Sequence, residues 1–255
     1  MIRNKKGIIF GIANDHSIAW GIAKKLSENG ADLILTYQND ALLKRVKPLA
    51  EKLNNSFLIE CDLDKEGSLK KCFEIVEDKF QKIDFVIHAV AFSDKSELNG
   101  RYISTSKENF IKTLNISCFS FTAISKLSSK ILNEGGSLLT LTFYGSNKVI
   151  PNYNVMGIAK AALETSVKYL SVDLGKKKIR VNAISASPMR TLSGAAITNS
   201  RDIFNYTKKN SALKRNVELN EIGNSALYFV SDLSKAVTGE VHYVDCGFNI
   251  IGIPK

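Results

Sequence analysis

The chain has 255 residues, 44% of them hydrophobic, enough for one single-core domain across residues 1–255, and no Pro-, Ser- or Gly-rich linker divides it. Its formal net charge is +10, so a solvated lysine-rich surface stands beside attraction to something acidic, such as nucleic acid or an acidic carrier protein. No apolar run has bilayer length, no leader-like segment precedes Ile8, and four cysteines and three histidines are scattered, so a cytoplasmic protein without disulfides or metal is expected.

Residues 7–12 read as a short buried strand, and residues 18–29 as a helix that stops at Gly30. A strand at 32–37 precedes a helix at 40–53, and a strand at 56–61 precedes a charged amphipathic helix at 66–80. A fourth strand covers 83–88. Residues 107–132 read as one long helix, or two nearly joined, ending at Gly135-Gly136. Then come a strand at 137–142, a helix at 156–174, a strand at 179–184, helices at 201–209 and 219–231, and a strand at 240–244. Strands without polar alternation, each separated by a helix, predict an α/β, Rossmann-like doubly wound fold: a seven-stranded parallel sheet with helices on both faces. The binding crevice of such a sheet lies at the carboxyl ends of its strands.

The first strand-to-helix turn, Gly11-Ile12-Ala13-Asn14-Asp15-His16-Ser17, lacks a strict GxGxxG. Gly11 suits the tight turn and Gly21 a close helix-to-strand contact, while Ser17 suits either a helix N-cap or a hydroxyl facing a pyrophosphate. The second strand exits into Gln38, a neutral residue able to hydrogen-bond a ribose, and no cation follows until Lys44. That pattern favours NADH over NADPH, although an ordinary polar residue at a strand exit reads the same way. Asp62 and Leu63 suit contacts to an adenine, or simply a helix start.

Tyr153 and Lys160 stand seven positions apart, a spacing that places both on one helical face. A phenol that donates a proton and an ammonium that favours nearby negative charge form a minimal apparatus to assist a hydride donor in reducing a polarised double bond. A rival pair, Tyr144 and Lys148, is interrupted by Gly145 and Asn147 and followed by Pro151, so it reads as loop.

Gly-x5-Ser-x3-Gly at Gly11, Ser17 and Gly21, the run Thr36 to Asp40, and Ile150-Pro151-Asn152-Tyr153-Asn154-Val155-Met156-Gly157 together resemble the short-chain dehydrogenase/reductase superfamily. Within it they resemble the bacterial NADH-dependent enoyl-[acyl-carrier-protein] reductases, as do Arg180 to Ala186, Pro188 to Leu192 and Val244 to Phe248. The resemblance covers essentially the whole chain, and the Tyr-x6-Lys spacing is its sharpest mark. It implies reduction of the trans-2 double bond of an enoyl thioester in the last step of a fatty-acid elongation cycle. Tyr153 and Lys160 are the implied catalytic residues, with Phe143 where many members have a second Tyr. Implied cofactor contacts are Gly11, Ser17, Ile18, Gln38, Asp62, Leu63, Val90, Lys160, Met189, Arg190, Thr191, Leu192 and Ser193. Substrate contacts are Ser93, Tyr153 and Met156, a mobile substrate loop covers about residues 189–210, and a homotetramer is the implied assembly. Basic residues Lys208, Lys209, Lys214 and Arg215, beside that loop, suit an acyl carrier protein. Another short-chain reductase, acting on a β-ketoacyl thioester, is the competing reading, against which the Tyr-to-Lys spacing argues. Three positions depart from the pattern: Phe143 for Tyr, and Ala91 and Ser187 for Gly.

Overall fold

The computed structural model describes residues 1–195 and 200–253. Strand β1 (Lys6–Phe10) leads to helix α1 (Ile18–Glu28), β2 (Asp32–Tyr37), α2 (Asp40–Ala50), β3 (Ser56–Glu60), α3 (Ser68–Phe80) and β4 (Ile83–His88). Then come α4 (Lys107–Leu114), α5 (Ser120–Ser128), β5 (Leu132–Thr142), α6 (Asn154–Gly175), β6 (Arg180–Ala186), α7 (Leu192–Ala195), α8 (Ser200–Asn210), α9 (Leu219–Val230) and β7 (Val241–Val244). All seven strands pair in parallel in the order β3-β2-β1-β4-β5-β6-β7. The strand order reverses direction between β1 and β4, which opens a crevice at their carboxyl ends.

Both faces of the sheet are covered, which is why its strands read as continuous apolar runs. Ile9, Leu35, Ile87, Leu139 and Ile184 pack on one face beneath Ile22 and Leu26 of α1 and Ile222 and Phe229 of α9. Ile8, Phe10, Ile34, Val86 and Val181 pack on the other beneath Val76 of α3, Phe121 of α5 and Leu163 and Val167 of α6. Each fully buried side chain of this size stabilises by about 1.5–3 kcal/mol. Gly21 serves helix-to-helix rather than helix-to-strand packing, because a Cβ there would stand 2.8 Å from Leu219 Cβ of α9.

The structure corrects the reading of residues 107–132. Helices α4 and α5 are joined by one wide π turn, Asn115–Phe119, and the helix ends at Ser128. Leu132 already belongs to β5, opposite Ile83; residues 133–136 then bulge outward, and the register resumes with Ser137 opposite Phe85. Gly135, at φ 80°, supplies the left-handed residue of that bulge rather than a helix end.

Candidate active site

Each element of the crevice is set by a local demand. Gly11 follows β1 at φ 101°, and a Cβ on it would lie 2.1 Å from the Ala89 carbonyl oxygen after β4, so only glycine lets the two strand ends meet. Ser17 is the N-cap of α1, but its hydroxyl donates back to Asn14 O at 2.6 Å and caps no helical amide. Trp20 N already donates to Ser17 O at 3.0 Å, so it is the Ile18 and Ala19 amides at the start of α1 that suit an anion. At the neighbouring strand ends Gln38 Nε2 donates to Asp62 Oδ1 at 3.1 Å, so the two predicted ribose and adenine contacts are one unit. Leu63 and Val90, half-buried, pack against the core beside them.

Past β6, Thr191 Oγ1 accepts from Gly194 N at 2.9 Å and the Arg190 guanidinium lies 4.7 Å from the Phe204 ring of α8. Met189 and Arg190 close a cleft of about 190 Å³ with His16, Phe204, Val217 and Leu219, facing the α1 turn. A larger hollow of about 410 Å³, lined by Asp64, Lys107, Glu108, Ile111, Lys112 and Asn115, holds none of the predicted residues. Leu192 and the Ser193 backbone fall in α7, whereas residues 196–199 of the predicted loop lie outside the described residues. Ser187 is buried, and its hydroxyl finds no partner among the described residues.

Tyr153 does not sit inside the helix, as the spacing suggested, but is the N-cap of α6. The turn that delivers it runs through Asn152 and Asn154, both at positive φ, which Asn tolerates better than most residues. Asn154 Nδ2 also donates to Leu98 O at 3.0 Å, tying the loop after β4 to the same spot. The Tyr153 ring meets Phe143 edge-on at 5.1 Å between centroids and lies against Gly145. Lys160, 6% exposed, donates from Nζ to the Leu141 carbonyl at 2.8 Å. Burial pulls its pKa down to about 8, and burial pushes the Tyr153 phenol well above its ordinary range. Tyr144 instead belongs to the 3-10 turn Tyr144–Ser146 and meets Phe248 edge-on, and Lys148 is exposed, so the rival pair is indeed loop.

An apolar cluster packs around the Tyr153 ring. Leu98, Val155, Met156 and Ala159 are buried around it, with Ala91, Phe110, Leu114, Phe143 and Ile150 packed behind. The Ser93 hydroxyl, predicted to meet substrate, is engaged within the protein, accepting from Thr113 Oγ1 at 2.9 Å. Sequence reasoning missed Leu98 and Ile150, which arrive from loops with no periodic signal, and Phe110, which α4 contributes. It also missed the Glu97 carboxylate, which accepts from Ser106 N at 2.8 Å and Ser106 Oγ at 2.7 Å to brace the loop after β4.

A doubly wound sheet with a glycine turn after β1, and a buried Tyr and Lys beside an apolar cluster, matches the architecture of a short-chain reductase. Residues 11–249 match the family model described as Enoyl-(Acyl carrier protein) reductase, and the chain belongs to that family. It is 54% identical over 254 residues to enoyl-[acyl-carrier-protein] reductase [NADH] 2 of Rhizobium meliloti, covering 100% of this chain and 95% of the relative. It is 50% identical to the NADH enzyme of Rickettsia typhi, covering 100% of this chain and 98% of the relative. Among solved structures, the Anaplasma phagocytophilum reductase in complex with NAD superimposes with a TM-score of 0.96 at 50% identity, covering 100% and 97% of the two chains. The Bacillus cereus reductase with NADP+ and indole naphthyridinone gives 0.96 at 42% identity, covering 99% of each.

Proposed function

We propose that the chain is an NADH-dependent enoyl-[acyl-carrier-protein] reductase that reduces the trans-2 double bond of an enoyl thioester. The observation that carries this reading is buried Tyr153 and Lys160 at helix α6, beside the apolar cluster of Leu98, Val155, Met156 and Ala159. The residues present fit the cofactor: Gly11 leaves no Cβ in the turn, the α1 amides are uncapped by side chains, and the neutral Gln38 meets Asp62 at the neighbouring strand ends. Gly11, Ser17, Ile18, Gln38, Asp62, Leu63, Val90, Lys160 and residues 189–193 would hold NADH, which supplies the hydride when bound.

Tyr153 aims its phenol at the thioester oxygen, where negative charge develops as the β-carbon is reduced. The raised pKa keeps the phenol protonated at working pH, so it donates a hydrogen bond to the enolate. Lys160 adds positive potential and orients the ribose. Phe143, lacking a hydroxyl, leaves Tyr153 to act alone and extends the apolar wall toward the acyl chain.

The acyl carrier protein is the expected bearer of the substrate, residues 189–210 the loop that covers it, and the cytoplasm its location; no described helix is long and apolar enough to cross a membrane. Tyr169 and Val172 of α6 and Phe119 of the π turn are exposed apolar side chains, which supports a homotetramer built on that face. Rates of NADH oxidation with trans-2-enoyl carrier protein, the matching CoA thioester and an acetoacetyl thioester, with NADPH alongside, test the activity. Enoyl turnover is expected; acetoacetyl turnover in its place would reassign the enzyme. Tyr153→Phe is expected to lower kcat by about 10²–10⁴-fold while NADH still binds. Undiminished turnover would remove Tyr153 from its role.

A further inference from the structure

Helix α6 carries Glu164 one turn beyond Lys160. Glu164 Oε1 accepts from Thr142 Oγ1 at 2.6 Å and from Ser146 Oγ at 2.5 Å, and Oε2 lies 3.4 Å from Asn147 Nδ2. Asn147 in turn donates to Tyr243 Oη of β7 at 3.0 Å. Two of these bonds lead directly to the catalytic pair. Thr142 ends β5 and adjoins Leu141, whose carbonyl holds the Lys160 ammonium. Ser146 closes the turn whose Gly145 lies under Tyr153, so closely that a Cβ on Gly145 would stand 2.6 Å from Tyr153 Cδ1.

We propose that Glu164 is a positioning residue for both catalytic groups: its carboxylate fixes the strand end that holds Lys160 and the turn that supports Tyr153, and it supplies the negative charge facing Lys160. The proposal rests on the reading of Tyr153 and Lys160 as the catalytic pair.

The charge matters because the ammonium is buried. Lys160 interacts with Cys118 from the π turn, His88 from β4 and Glu164 on α6 itself, and Glu164 also acts on Tyr153, raising its phenol. Burial lowers the Lys160 pKa, while Cys118 as thiolate and Glu164 as carboxylate raise it. The Cys118 thiol is itself pushed up by burial, and His88 is held to about 3 by burial, so both are uncharged near neutrality. The Tyr153 phenol is protonated there as well. Glu164 is thus the anion that offsets desolvation of Lys160 at working pH.

The test compares Glu164→Gln, Glu164→Asp and Thr142→Val in the full chain, measuring kcat with NADH and an enoyl thioester across pH values on both sides of 8. Glu164→Gln removes the charge, so the alkaline limb of the kcat profile is expected to move about one pH unit lower and kcat to fall about tenfold. Thr142→Val keeps the charge and cuts the strand tie, so kcat falls about threefold or more while the limb stays in place. Glu164→Asp, which retains charge at shorter reach, behaves like Thr142→Val and serves if the Gln variant does not fold. A limb that stays fixed in Glu164→Gln, or shifts in Glu164→Asp, overturns the electrostatic role, and wild-type kcat in Thr142→Val overturns the positioning role. Failure of the catalytic pair itself is seen separately, as turnover surviving in Tyr153→Phe.

Discussion

A buried histidine that takes no part in the proposed chemistry shows how a single residue ties stability to pH. His88 ends β4 with Nδ1 2.8 Å from Thr140 Oγ1 and Nε2 2.9 Å from Ser120 Oγ. Ser120 already donates its proton to Ile116 O at 2.6 Å, so Nε2 must be the donor and Nδ1 the acceptor, which satisfies a neutral ring completely. Burial, reinforced by the nearby Lys160 charge, lowers the pKa from 6.5 to about 3. The unfolded chain therefore takes up a proton below about pH 6.5 that the folded chain refuses until about pH 3. Stability attributable to His88 is complete above the upper value and is lost as pH falls through the window, on the order of 3 kcal/mol by about pH 4. His88→Gln, which fits a similar space and does not titrate, is expected to flatten this part of the profile. Denaturant unfolding of both proteins at about pH 7 and pH 4 measures the difference, and parallel losses would show that His88 does not drive it.

At the scale of elements, the sequence announced what periodicity encodes and was silent where side chains rewrite the backbone. Strands β1 to β4 and helices α1, α6 and α9 stand close to their predicted places because each buries a regular apolar pattern. The joint between α4 and α5 does not follow that pattern. Its π turn is held by Ser117, whose hydroxyl accepts from Phe92 N and donates to Phe92 O, both at 2.9 Å. That contact joins residues 25 positions apart, and no local propensity records it. The same blindness hid Glu164, Asn154 and Glu97 in the site, whereas Tyr153, Lys160, Gly11, Gln38 and Asp62 were legible because their residue types and spacing carry chemistry. Ser117→Ala would orphan the Phe92 amide beside Ala91 and Ser93, at a cost of about 1–3 kcal/mol. We expect a lower unfolding midpoint in denaturant together with a raised KM for enoyl thioester. A midpoint within error of the wild type would mean that the turn does not depend on this bond.

For the whole molecule, the net charge of +10 becomes a functional statement only once the basic groups are placed. Lys208 and Lys209 lie exposed on α8, whose first turns also bring Phe204 to Arg190 at the edge of the cofactor cleft. Lys214 stays nearby with Nζ on the Lys209 carbonyl at 3.2 Å. Arg215, grouped with them by sequence, is otherwise occupied: its guanidinium grips Glu221 through two bonds of 2.8 and 2.6 Å at the start of α9. Its charge is largely cancelled, so a steering role falls to the lysines. An acidic carrier protein would be drawn to this rim over several ångströms of solvent, a force that acts on encounter rate and fades within a Debye length of about 8 Å at physiological salt. The double variant Lys208→Glu/Lys209→Glu should therefore lower kcat/KM for carrier-bound enoyl substrate by about fivefold or more at low ionic strength, with the deficit shrinking as salt rises. The CoA thioester, which brings no protein surface, should keep its kcat/KM within about twofold, since both lysines are exposed on α8. Steady-state rates with the two substrates over a salt series decide the matter. Equal losses on both substrates would place the lysines in the chemistry of the site, and no loss on either would move the carrier's docking rim elsewhere on the surface.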